Sequence, residues 1–188
     1  MRKITVFLLL CCIGWLLSAR AADSVKNTNN GVLKQSVYID FGKNNGLDGN
    51  VTEGPDQNGH YWNNAIETEY GETLELVSGT NESTGFIMEI TKKFLANGIR
   101  NGGLLVPDQT ELGDLAISTA TQDYFYIEGA GANGSFRIKN LNKNRAYRFY
   151  VFGSRAQTGD EERIGYLSFT GSTAVSYTHL TLPTTSRV

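Results

Sequence analysis

The chain holds few of the residues from which covalent or metal chemistry is built. Its 188 residues include two cysteines, two histidines, two methionines and three prolines. A zinc centre needs several His or Cys ligands, and with the C-terminal His179 set aside (below) only His60 remains. No Gly-x-Ser-x-Gly or Gly-Asp-Ser element presents a nucleophile, so a Ser-His-Asp or Cys-His arrangement has no support, and no Gly-x-x-x-x-Gly-Lys loop exists to cradle phosphate. Seventeen Lys and Arg against 19 Asp and Glu give a net charge of −2, which supplies no basic field for nucleic acid. Charged residues make up only 19%, which excludes a coiled coil or a charged disordered tail. What is plentiful is glycine, at 21 residues, within a composition that is 40% hydrophobic and 11% aromatic. That balance points to a β-rich globular domain.

Three kinds of segment are joined in the chain. Arg2 and Lys3 precede an apolar run from Ile4 to Leu17, and Ala19 and Ala21 put small side chains before a cut at Ala22. This is the anatomy of an export leader, residues 1–21, and the run is shorter than the roughly 20 residues of a membrane span. A lipoprotein signal fits poorly, because neither Leu10 nor Cys11 is a small residue before a cysteine. Cys11 and Cys12 leave with the leader, so the exported chain, periplasmic, surface-bound or extracellular, has no disulfide. At the other end, the codons of Val175 to Thr184 read as the translation of a sequencing-library adapter, and residues 175–188 are set aside as an artefact. Without Arg2, Lys3, Arg20 and Arg187 the 17 basic residues fall to 13 against 19 acidic ones, a charge of −6.

Between these ends, residues 22–35 are polar and form a flexible lead-in, and residues 36–174 form one module that lacks its closing strands. Val37, Ile39 and Phe41 alternate with Tyr38 and Asp40, which predicts a strand with two different faces. Similar short alternating runs occupy 73–77, 85–91, 134–138, 146–153 and 164–170, separated by Gly, Asn and Ser clusters. The spacing predicts an antiparallel β-sandwich or barrel. Leu112, Leu115, Ala116 and Ile117 predict one short helix within 108–120.

Two groups of side chains offer chemistry. Tyr61, Trp62, Asn63 and Asn64 combine rings with amides, and Asp40, Tyr38 and Arg155 can join them. Sugars present apolar C–H faces and hydroxyl edges, which suit such a platform. The competing reading puts Trp62 in the core, with Asn63 and Asn64 tying down backbone and Arg155 clasping a strand end. Oxygen donors at Asp48, Asn50, Asp56 and Asn58, in a glycine-bearing loop, suit structural calcium or a set of Asx turns. No Glu stands where an EF-hand needs one. A glycosidase-like carboxylate pair would draw on Glu67, Glu69, Glu128, Glu161 or Glu162, for each of which solvated surface is the simpler explanation.

Five motifs carry a resemblance: Val37-Tyr-Ile-Asp-Phe-Gly42, Asp56-x-Asn-Gly-x-Tyr-Trp-Asn-Asn64, Asn97-Gly-Ile-x-Asn-Gly-Gly-Leu-Leu105, Ala120-Thr-x-Asp-Tyr-Phe125 and Phe152-Gly-Ser-Arg155. Over Ser36–Gly171 the chain resembles the galactose-binding-like β-sandwich module at the N-terminus of secreted carbohydrate-active proteins of gut Bacteroidetes, several of which continue into an SGNH/GDSL-type esterase. The resemblance implies a jelly-roll accessory domain that binds glycan, or a spacer packed on a downstream esterase. It transfers no catalytic residue, since Gly113-Asp114-Leu115 lacks the serine of the esterase block.

Overall fold

The structure is a computed structural model and describes the backbone of residues 4–9 together with residues 35–129, 131–153, 155 and 167–171. Nine strands are present among them: β1 (Ile4–Leu9), β2 (Gln35–Phe41), β3 (Trp62–Ala65), β4 (Thr73–Val77), β5 (Ser83–Lys92), β6 (Leu95–Asn97), β7 (Tyr124–Tyr126), β8 (Ser135–Lys139) and β9 (Tyr147–Phe152). They form one sheet in the order β3-β2-β1-β9, a second in the order β4-β5-β8, and the pair β6-β7. The chain is thus mostly β with short helical segments, as its alternation predicts. None of the helices among the described residues is long and apolar enough to cross a membrane.

Strand β2 organises the packing because it is buried on both faces. Val37, Ile39 and Phe41 enter the main core with Leu76, Phe86, Met88, Ile90, Phe94 and Phe125. Phe41 meets Phe125 edge-on at 5.2 Å between ring centroids, and Phe94 lies 5.5 Å from Phe125. On the opposite face, Tyr38 joins Trp62 in a second cluster with Leu115, Ile117 and Ala120. Strand β9 shows the same period of two: Tyr147, Phe149 and Val151 pack on the main core, Tyr150 and Phe152 on the second cluster.

Two expectations change. Sheets β4-β5-β8 and β6-β7 are antiparallel, but β2 pairs parallel with β3 and with β1, and β1 pairs parallel with β9. The long loop 42–61 carries the chain back to the start of β2 before β3 begins, which is the kind of connection parallel neighbours require. The single helix divides into α1 (Gln109–Leu112), a 3-10 turn at Gly113–Leu115 and α2 (Ser118–Thr121). Asp108 caps α1 by accepting from Thr110 N at 2.7 Å, and Gly113, at φ 53°, ends it. The expected strand at 164–170 is not regular over 167–170, and 164–166 lie outside the described residues, as do 10–34 and 172–188.

Strand β1 falls within the segment read as a leader, and it fills the place between β2 and β9. Removing residues 1–21 leaves both facing edges with unpaired N–H and C=O groups. The 22–188 chain is therefore expected to self-associate at concentrations where the full chain stays monomeric, as read by light scattering. A monomeric 22–188 chain with an unchanged thermal midpoint would contradict that role for β1.

Candidate functional site

The register of β2 on β3 sets Tyr38 beside Trp62 and Asp40 beside Asn64, so these four share the face away from the main core. Segment 112–120 and the loop 42–61 pack over that face. Trp62 is only 6% exposed, and its Nε1–H donates to Asp56 Oδ2 at 2.7 Å. The indole therefore sits in the second cluster. Asn63, on the other face, donates to the carbonyls of Tyr38 (2.8 Å) and Val77 (2.9 Å) and accepts from Val77 N (2.8 Å). Its amide does the work of a missing ladder between β3 and β4. Asn64 accepts from Thr52 N at 2.7 Å and donates to Thr52 O at 3.1 Å, holding the loop against β3. Arg155 is set apart, bonded to Asn101 O (3.2 Å) and Asn101 Oδ1 (2.8 Å). Tyr61 is half-buried at the entry to β3, packed over Gly54.

At the border of this face, three rings and two carboxylates come together. The His60 ring stacks on Tyr38 with centroids 4.5 Å apart and planes 19° apart, and Trp62 lies 5.2 Å from Tyr38 on a tilt. The Tyr38 hydroxyl is 3.4 Å from both His60 Nε2 and Asp114 Oδ2. Burial, and then the Asp114 charge, raise the Tyr38 hydroxyl well above its usual value, so it stays a donor. Asp56 takes the backbone N–H of Asn58 (2.8 Å) and of His60 (2.9 Å) and so shapes the turn that presents His60. Asp114 is exposed and His60 and Asp56 are half-buried, with His60 Nδ1 turned inward and without a hydrogen-bond partner.

Deeper on the same face lie two acids that have no basic partner among the described residues. Asp40 is 3% exposed, with Oδ2 2.8 Å from the Thr52 hydroxyl and no partner for Oδ1. Asp123 is 2% exposed, with Oδ2 accepting from Lys43 N at 2.8 Å and Oδ1 equally unpartnered. Burial pushes Asp40 from 3.8 up to about 7. Burial, reinforced by the Asp40 charge, pushes Asp123 up to about 8. Three glycines make room for Asp123. A methyl group on Gly42 or Gly49 would overlap its carboxyl group, and one on Gly98 would overlap its Cβ and the carbonyl of Asp48.

The four loop donors proposed for calcium do not form one set. The Asp48 carboxylate is taken by Asn45 (3.1 Å), Arg100 (2.9 Å) and Lys43 (3.6 Å), and the Asn45 and Arg100 bonds hold it below the usual carboxylate range. Asp56 serves Trp62 and its own turn. Asn58 is exposed, and the Asn50 carbonyl accepts from Gln122 at 3.4 Å. Among the carboxylates considered for hydrolysis, Glu67 and Glu128 are exposed and Glu69 pairs with Lys93, while Glu161 and Glu162 lie outside the described residues.

His60 and Asp114 entered the sequence reading only through catalytic motifs that failed, and Asp123 only as a letter in a motif. Its signal was the set of glycines at 42, 49 and 98, which sequence order scatters over two loops. No family model, curated protein or solved structure matches the chain.

Proposed function

We propose that the chain is a noncatalytic accessory module of a secreted polysaccharide-acting protein, of the galactose-binding-like jelly-roll type, and that it holds a glycan at the rim around His60. The observation that carries the reading is the Tyr38 hydroxyl set 3.4 Å from both His60 Nε2 and the exposed Asp114 carboxylate, with the His60 ring stacked on the Tyr38 ring. Rings offer a face to sugar C–H groups, and a carboxylate accepts from paired hydroxyls at about 2.5–2.7 Å.

His60→Ala removes the outer ring of the stack, and Asp114→Asn removes one charge-assisted acceptor, a loss of about tenfold in affinity for each 1.4 kcal/mol. Both variants are expected to fold as the parent does, because Asp114 is exposed and His60 is only half-buried. Each is expected to lose most retention on pectin or other complex plant glycans in affinity electrophoresis. Unchanged retention in both variants, with the fold intact, would overturn the site.

A spacer that packs on a downstream SGNH/GDSL-type esterase is the second reading. It draws on the internal use of Trp62, Asn63 and Asn64, and on Leu105 and Val106, 48% and 85% exposed, as an apolar tip. A parent chain that binds nothing on a broad glycan array leaves this reading standing.

A further inference from the structure

The glycan rim does not use the two buried acids, and hydrogen bonding inside the protein does not satisfy them. Asp40 and Gly42 are two residues apart along an extended chain, so their Cα substituents point to the same side. The Asp123 carboxyl group occupies the space over Gly42, on the side of the strand that carries the Asp40 side chain, and is near enough to feel the Asp40 charge. Each group has one oxygen engaged, Asp40 with Thr52 and Asp123 with Lys43 N, and one oxygen buried with no partner. Leaving a buried acceptor unpaired incurs its desolvation cost, and the cost is larger if the group is charged. The nearby cations do not answer this need, because Lys43 and Arg100 both reach Asp48 instead. Among the described residues neither acid has an ion-pair partner.

We propose that the Asp40 and Asp123 carboxylates are the anionic ligands of a buried site for one hard divalent cation with the coordination chemistry of calcium. The Lys43 carbonyl beside Gly49 and the Asp48 carbonyl beside Gly98 border the same cradle, the latter with one lone pair already taken by Ile99 N at 2.8 Å. The donors are all oxygen, with no thiolate or imidazole, which disfavours zinc. The set is irregular and shut away from water, which suits calcium better than magnesium, an ion that keeps an octahedral shell and several waters. The glycines belong to this arrangement: at 42, 49 and 98 only hydrogen leaves room for the acid and the carbonyls together. The bound cation would tie β2, the loop 42–61, the Gly98 turn and the segment before β7 into one unit.

The test uses the full chain stripped with a chelator and studied near neutral pH. Millimolar calcium is expected to raise the thermal midpoint by several degrees in a saturable way, magnesium much less, and equilibrium dialysis is expected to find one calcium per chain. Asp40→Asn and Asp123→Asn are expected to abolish the calcium response, whereas Asp48→Asn and Asp56→Asn keep it. A parent chain that binds no calcium by dialysis overturns the proposal and leaves a protonated acid pair. A response that survives in Asp40→Asn and Asp123→Asn, or disappears in Asp48→Asn and Asp56→Asn alone, overturns it in favour of the outer loop. Dialysis of the parent decides the first point even where a variant fails to fold.

Discussion

Trp62→Ala is expected to destabilise the module by about 3–5 kcal/mol, the cost of emptying a buried aromatic site. For a domain of this size that lowers the thermal midpoint by roughly 10 °C or more, read by far-UV circular dichroism. The indole is 6% exposed, wedged between Tyr38 and the segment that carries Leu115, Ile117 and Ala120. Its removal also leaves Asp56 without the Nε1–H donor at 2.7 Å. Loss of glycan retention in this variant therefore says nothing about stacking, since the platform falls with the fold. Asn64→Ala is milder but still structural: it strands the N–H and C=O of Thr52, at about 1–3 kcal/mol for a buried group left unpaired. An unchanged midpoint in Trp62→Ala would place the indole on the surface and contradict the packing of β3.

The second large effect is on pH dependence, and its sign is the reverse of the usual one for carboxylates. Asp40 rises from 3.8 to about 7 and Asp123 from 3.8 to about 8 in the folded chain. Between about pH 4 and pH 8 the folded state then binds more protons than the unfolded state. The stability these groups contribute is complete below about pH 4 and is lost as pH rises through 7 and 8. Both shifts have the same sign, so in a chelator stability declines across this range. Among the described residues no basic side chain pairs with either acid; the hydrogen-bond partners are the Thr52 hydroxyl, with Thr119 behind it, and the Lys43 N–H. Glu89, held at about 2 by Arg137 and Lys139, and Asp48, also lowered, give the ordinary loss on the acid side. Calcium reverses the main trend, because it favours the ionised pair. Urea unfolding across this range in a chelator checks the prediction, and stability that climbs steadily from pH 5 to pH 8 would contradict it.

How much was legible varied with the physics involved. The alternation of Val37, Ile39 and Phe41 marked a core strand because side-chain direction alone decides it, and 73–77 was read to the residue. Strand β3 was not read, because Trp62-Asn-Asn-Ala65 is short and polar and its amides replace backbone partners only once β2 and β4 flank it. The parallel pairing of β2 with β3 depends on where a long loop returns, which periodicity does not encode. The break in the helix was visible in principle at Gly113, but the apolar spacing of Leu112, Leu115 and Ile117 survives the break and masks it. For Trp62 and the two asparagines a binding platform and a core role both stayed open, because composition cannot separate a ring that faces sugar from one that faces Tyr38. The acid pair was hidden for a related reason. Asp123 becomes exceptional only when three glycines distant in sequence close around it.

The glycan rim is tested most directly through Trp62, which lies against Tyr38 and bonds the Asp56 that shapes the His60 turn. The chain has two tryptophans, Trp15 and Trp62, so a Trp15→Phe chain carries one indole N–H signal. Titrating that chain with complex plant glycans and following the signal by 15N NMR is expected to give a saturable shift that His60→Ala weakens. A glycan that is retained by the protein yet leaves the Trp62 signal and the His60 ring resonances unmoved would contradict binding at this rim.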